Sequence, residues 1–138
     1  MTVAAFPTWL PIAPDPTTPV DVFALLPAGA AELDRLYTQL WESGFDRSTL
    51  ELCRARITTM ISGRAAAPAP DPETDAQRAA LGFAEQFVLD PHGCSDEQMD
   101  ALQRFFSGPQ LATLTTAVAV FDALARVRTV LSLPEEDS

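Results

Sequence analysis

Glu51, Arg54 and His92 are the residues of this 138-residue chain whose types and spacing point to chemistry. Glu51 and Arg54 stand three apart in the segment DRSTLELCRARITTMISGR, residues 46–64. In a helix that spacing places a carboxylate and a guanidinium side by side, as a surface ion pair or as a proton carrier next to a carboxylate holder. His92 is the single histidine, so it is the one ordinary side chain that titrates near neutral pH. It sits in Asp-Pro-His-Gly, which reads first as a turn. One histidine without grouped ligands does not make a closed metal site, so no metal and no cofactor are expected. Tyr37, Trp41 and Trp9 are candidate walls of an apolar pocket; rings at helical spacing also serve simply as core.

The two cysteines, Cys53 and Cys94, are far apart and make neither a metal-binding nor a redox spacing. Cys53 falls on an apolar stripe with Leu50, Ile57, Met60 and Ile61, where a thiol behaves as a small hydrophobe. There is no lysine, so Schiff-base chemistry is excluded. Gly-rich phosphate loops are absent, and no serine or threonine stands at a recognisable spacing from the histidine.

The positioning elements follow from period and caps. Apolar residues make up 47% and charged residues 20%, the balance of a chain that builds a core. A net charge of −10 argues against nucleic acid and anionic membrane as partners. The N-terminus lacks a basic region ahead of its apolar residues, and no run approaches the ~20 apolar residues of a spanning helix, so a cytoplasmic protein is expected.

Residues 1–19 hold five prolines and predict an extended arm anchored by Phe6, Trp9, Leu10 and Ile12. A short helix is predicted over Asp21–Leu26, and a longer one over Ala30–Ser43 with Leu33, Leu36, Tyr37, Leu40 and Trp41 inward. Asp46 or Ser48 caps the central helix, and residues 64–73 are a proline-rich linker. Thr74 with Gln77, Ser95 with Gln98 and Ser107 with Gln110 are capping boxes, each opening a helix. The helix after Ser95 is expected to turn Met99, Leu102, Phe105 and Phe106 inward. The last helix, about Pro109–Leu131, is apolar nearly all round and predicts burial on most sides, within a bundle or at a subunit interface. No strand pattern appears, so the fold class is all-α.

The segments FAEQFVLDPHG, SDEQMDALQRFFS and LELCRARITTMISG are similar to the C-terminal half and the central helix of the carboxymuconolactone decarboxylase and alkylhydroperoxidase-D-like family. The resemblance covers roughly residues 30–133. It implies a helical bundle of about six helices over a domain at 20–133, between the arm and an acidic tail at 134–138. It also implies a homo-oligomer and places Glu51 at the family's proton-relay glutamate. The family's C-x-x-C pair and following histidine have no counterpart: those positions fall on Gly63, Arg64, Ala65 and Ala66, with Ala67 and then Pro68 in the region of the histidine. Dithiol peroxidase chemistry needs both a nucleophilic and a resolving thiol, so a redox-inactive member is expected. Loss of the helix that carries the pair is expected to uncover apolar surface on the central and last helices, covered by the arm or by another subunit.

Three functions stand open at this point. One is a small-ligand-binding or accessory subunit, with Arg54, Tyr37 and Trp41 around the ligand. The second is a non-redox acid–base enzyme (decarboxylase, isomerase or cyclase) acting on a small carboxylated substrate, with Glu51 and His92 moving protons. The third is a thiol-dependent alkylhydroperoxidase. The oligomer expectation predicts association in sedimentation at micromolar concentration; a compact monomer there contradicts it.

Overall fold

The protein is described by a computed structural model covering residues 29–63, 71–131 and 133. The proline-rich arm, the Asp21–Leu26 helix, most of the 64–73 linker and the acidic tail lie outside the described residues. Among the described residues the chain is all-helical, with five α-helices, one 3-10 turn and no strand. They are α1 (Gly29–Glu42), α2 (Arg47–Ser62), α3 (Asp75–Leu89), the 3-10 turn Pro91–Gly93, α4 (Asp96–Phe105) and α5 (Gly108–Val130).

Short polar devices set the boundaries. After α1, the Ser43 hydroxyl donates to the Leu40 carbonyl at 2.8 Å and Gly44 takes a left-handed φ of 85°. Phe45 is then buried and stacks on Phe106 with ring centroids 5.4 Å apart. Asp46 caps α2 by accepting from the Thr49 N–H at 3.1 Å and the Thr49 hydroxyl at 2.6 Å. Those bonds, the Thr49 hydroxyl first, hold the Asp46 carboxyl below its ordinary range, and the Gln77 side chain assists. α2 ends at Gly63, also left-handed, whose N–H donates to the Thr59 carbonyl at 3.0 Å.

Of the three expected capping boxes, Ser107–Gln110 is complete in both directions. At Thr74 the Gln77 side chain reaches one residue further, accepting from the Glu73 N–H at 2.7 Å.

α2 is the centre of the bundle. Leu50, Cys53 and Ile57 are wholly buried against α5 and α3, and Leu52 is buried on a second side. Arg47 and Leu52 stand opposite Gln77, and Arg56 pairs with Glu85 at 3.4 Å, so α2 and α3 run the same way. Phe45 against Phe106, followed by Arg54 and Thr58 against Phe121 and Arg128, gives α5 that direction too. After α3, α4 returns the chain to the start of the parallel α5.

Two expectations are corrected. Within the single chain α5 is not buried on most sides, so it is not an all-round bundle spine: Leu114, Ala117, Val118, Phe121, Leu124 and Ala125 enter the core, while Thr115, Thr116, Ala119 and Ala123 are exposed on the face left for the expected subunit interface. One helix cannot turn every face to only two or three neighbours. α5 is also long and apolar enough, by length and composition alone, to cross a membrane, contrary to the expectation that no such run exists. Its Leu114–Ala125 side packs on α2, α3 and α4.

Because the Asp46 carboxyl titrates below its unfolded value, its contribution is complete above about pH 4 and is lost as pH falls through the lowered folded value. Asp46→Ala is expected to lower stability by about 1 kcal/mol at pH 7 in urea unfolding. The gap to wild type should close in acid; a gap unchanged at low pH contradicts the capping account.

Candidate functional site

The polar strip left on α2, between its two buried sides, carries both Glu51 and Arg54. Arg54 donates from Nε at 3.2 Å and Nη2 at 2.9 Å to one Glu51 oxygen. The pair is graded: the Arg54 side chain is 19% exposed and that of Glu51 is 45% exposed. Arg56, two residues on, turns away to α3 and pairs with Glu85.

The inner end of Arg54 meets α1 and α5. Tyr37, Trp41 and Phe121 form a three-ring cluster, with centroids 6.0 Å apart for Tyr37–Trp41, 6.3 Å for Tyr37–Phe121 and 5.7 Å for Trp41–Phe121. These rings dock α1 on α5, and the Arg47 guanidinium lies 5.1 Å over the Trp41 ring. Behind them a small cavity of about 10 Å³ is lined by Tyr37, Arg54, Thr58, Phe121, Leu124 and Arg128. Arg128 is 8% exposed. Two guanidiniums and a phenol, each with a partner of its own, border a space the size of one water.

Glu51 also lines a separate, wider cleft of about 350 Å³ between the starts of α2 and α3. Its walls are Arg47, Ser48 and Glu51 on one side and Asp71, Glu73 and Gln77 on the other. The cleft is mostly acidic, and among the described residues no group of three His, Cys, Asp or Glu is placed to hold a metal ion.

Three of the residues expected from the sequence, Tyr37, Trp41 and Arg54, are thus brought together, with Glu51 bonded to Arg54. His92 is not. It is exposed in the 3-10 turn beyond the end of α3, where its N–H donates to the Asp90 side chain at 3.1 Å. Glu51 faces the start of α3, a helix of 15 residues and so about 22 Å long. One small substrate does not bridge that length, so Glu51 and His92 do not form a shared acid–base pair.

Arg128 is a site residue that sequence reasoning passes over, because near a helix C-terminus an arginine reads as a partner for the dipole. A signal is present: Arg128 continues the buried series Leu114, Val118, Phe121, Ala125 at steps of four, three, four and three.

The thiols lie elsewhere. Cys53 is fully buried, and burial pushes its thiol up to about 12. Cys94 is half-buried at the edge of the core, and both are free. Compared with known protein families, curated proteins and solved structures, the chain matches none.

A thiol that stays protonated at neutral pH is a poor nucleophile toward peroxide. Peroxide consumption with a thiol reductant is therefore expected to stay at the uncatalysed rate. Turnover that disappears in Cys53→Ser or Cys94→Ser contradicts this.

Proposed function

We propose that this protein is a redox-inactive relative of the carboxymuconolactone decarboxylase and alkylhydroperoxidase-D-like scaffold that binds a small carboxylated ligand. It acts in the cytoplasm as a binding or accessory subunit of a homo-oligomer. The observation that carries the reading is the convergence of Arg54, Arg128 and Tyr37 on one cavity. Cys53 supplies no thiol chemistry there, since it is held protonated within the core. The cavity holds no more than one water, so at most one oxygen of a ligand carboxylate enters it while the rest of the ligand lies outside.

A second reading, an acid–base enzyme on a carboxylated substrate, is favoured by the 2.9 Å contact that sets Glu51 against Arg54. In that version Arg54 holds the substrate and Glu51 alone moves the proton. Deuterium uptake from heavy water into a lactone carboxylate, lost in Glu51→Gln, would replace the binding reading with this one.

Benzoate is the first probe, with its binding to the full chain measured by titration calorimetry. A charge-assisted hydrogen bond contributes roughly 1.5–3 kcal/mol, so Arg54→Gln and Arg128→Gln should each weaken benzoate binding about tenfold or more. Benzyl alcohol should bind far more weakly than benzoate. Equal affinity for the two, or benzoate binding insensitive to both arginines, contradicts the proposal.

A further inference from the structure

An open groove of about 390 Å³ runs between α1 and α5. Leu33 of α1 and Thr116, Ala119, Val120, Ala123 and Leu124 of α5 line it, and none of them is charged. Short side chains dominate its exposed wall: Ala119 and Ala123 are methyls, and the Thr116 hydroxyl donates back to the Ala112 carbonyl at 2.8 Å. A concave apolar surface of this kind is filled by large protruding apolar side chains. Among the described residues the exposed large hydrophobics are Leu36, Leu89, Phe105 and Val130, and of these only Leu36 and Val130 belong to the groove's helices. A second copy meeting this face across a two-fold axis must supply knob and hole from the same patch, so it offers little to fill the groove.

We infer that residues 22–26 of the same chain, Val-Phe-Ala-Leu-Leu, dock in this groove, with Phe23, Leu25 and Leu26 supplying the large side chains. Attachment favours this occupant. α1 begins at Gly29, and Leu33 of the groove follows four residues later, about 6 Å along the helix. Residues 20–28 reach at most about 30 Å when extended. The α5 wall from Thr116 to Leu124 is about 12 Å long, well within that reach. Charge favours it as well. Residues 22–31 carry no charge in a chain with 20% charged residues and a net charge of −10, and residues 105–121, which include most of the α5 wall, carry none either. A tether this short also holds the segment at an effective concentration on the order of millimolar, above that of a second copy in micromolar solution. The proposed homo-oligomer then assembles through another surface.

Methyl NMR on the full wild-type chain, with its alanine and leucine methyls carbon-13 labelled, tests this directly. Nuclear Overhauser contacts are expected from the Phe23 ring and the Leu25 and Leu26 methyls to the Ala119 and Ala123 methyls. An isotope-filtered experiment on mixed labelled and unlabelled protein should show none of them between chains. Limited thermolysin digestion, with the cut sites read by mass spectrometry, gives a second measure. Ala119→Glu and Ala123→Glu each place a charge in the groove at an exposed position and leave residues 20–28 unaltered. Each should speed cleavage before Phe23, Leu25 or Leu26 about tenfold or more, the loss expected when a large apolar side chain leaves its pocket. If either variant unfolds early, the other carries the digestion, and the wild-type contacts need neither. Absence of those contacts, contacts found only between chains, or cleavage at the wild-type rate in both variants overturns the inference.

Discussion

Burial of α2 on two sides constrains everything around it. Leu50, Cys53 and Ile57 have no exposure, and Leu52 almost none, because α3 and α5 close on the helix together. A helix packed in this way keeps only a narrow strip for polar groups. Glu51 and Arg54 occupy that strip, so their ion pair lies at the boundary between the core and water. The same packing removes Cys53 from chemistry: a thiol within an apolar helix contact is protonated and unreachable.

The arginine cavity follows from how α1 meets this frame. Tyr37 and Trp41 reach Phe121 as a ring cluster, and the ring edges leave a small space that Arg54 and Arg128 enter from α2 and α5. Guanidiniums tolerate such surroundings better than ammonium groups because they are more weakly hydrated and stack on aromatic faces. Desolvation still has a cost, and anionic oxygen offsets it. Glu51 supplies that oxygen to Arg54 within the chain. The acidic surface does not oppose a ligand carboxylate at close range, since salt screens exposed charges over about 8 Å.

Much of the fold was legible because its boundaries are local chemistry. Asp46, Thr74, Ser95 and Ser107 each cap a helix through a side-chain bond to the backbone three residues on, a pattern visible in one chain. Tyr37 and Trp41 were legible as a ring pair on one helix face, and the structure sets them against Phe121. Partner choice was not legible. Periodicity marks an apolar face without saying which neighbour fills it, so α5 reads as buried all round while Thr115, Ala119 and Ala123 stand exposed. Phe105 likewise reads as inward, yet it is 44% exposed, and the next residue, Phe106, takes the core position. His92 fell out because loop position along a bundle depends on helix direction, and α2 and α3 run parallel. Arg128 escaped notice because its charge outweighed its place in a buried series.

Arg54 and Arg128 are proposed to act together on one carboxylate. Their guanidinium Nε–Hε signals, resolved by nitrogen-15 NMR and assigned with the Arg54→Gln and Arg128→Gln variants, report on it directly. On titration with a short carboxylate both signals should shift with one shared saturation curve, and the Arg56 signal, paired across to Glu85, should stay in place. Shifts confined to Arg47 at the acidic cleft, or no movement at Arg54 and Arg128, would contradict the account.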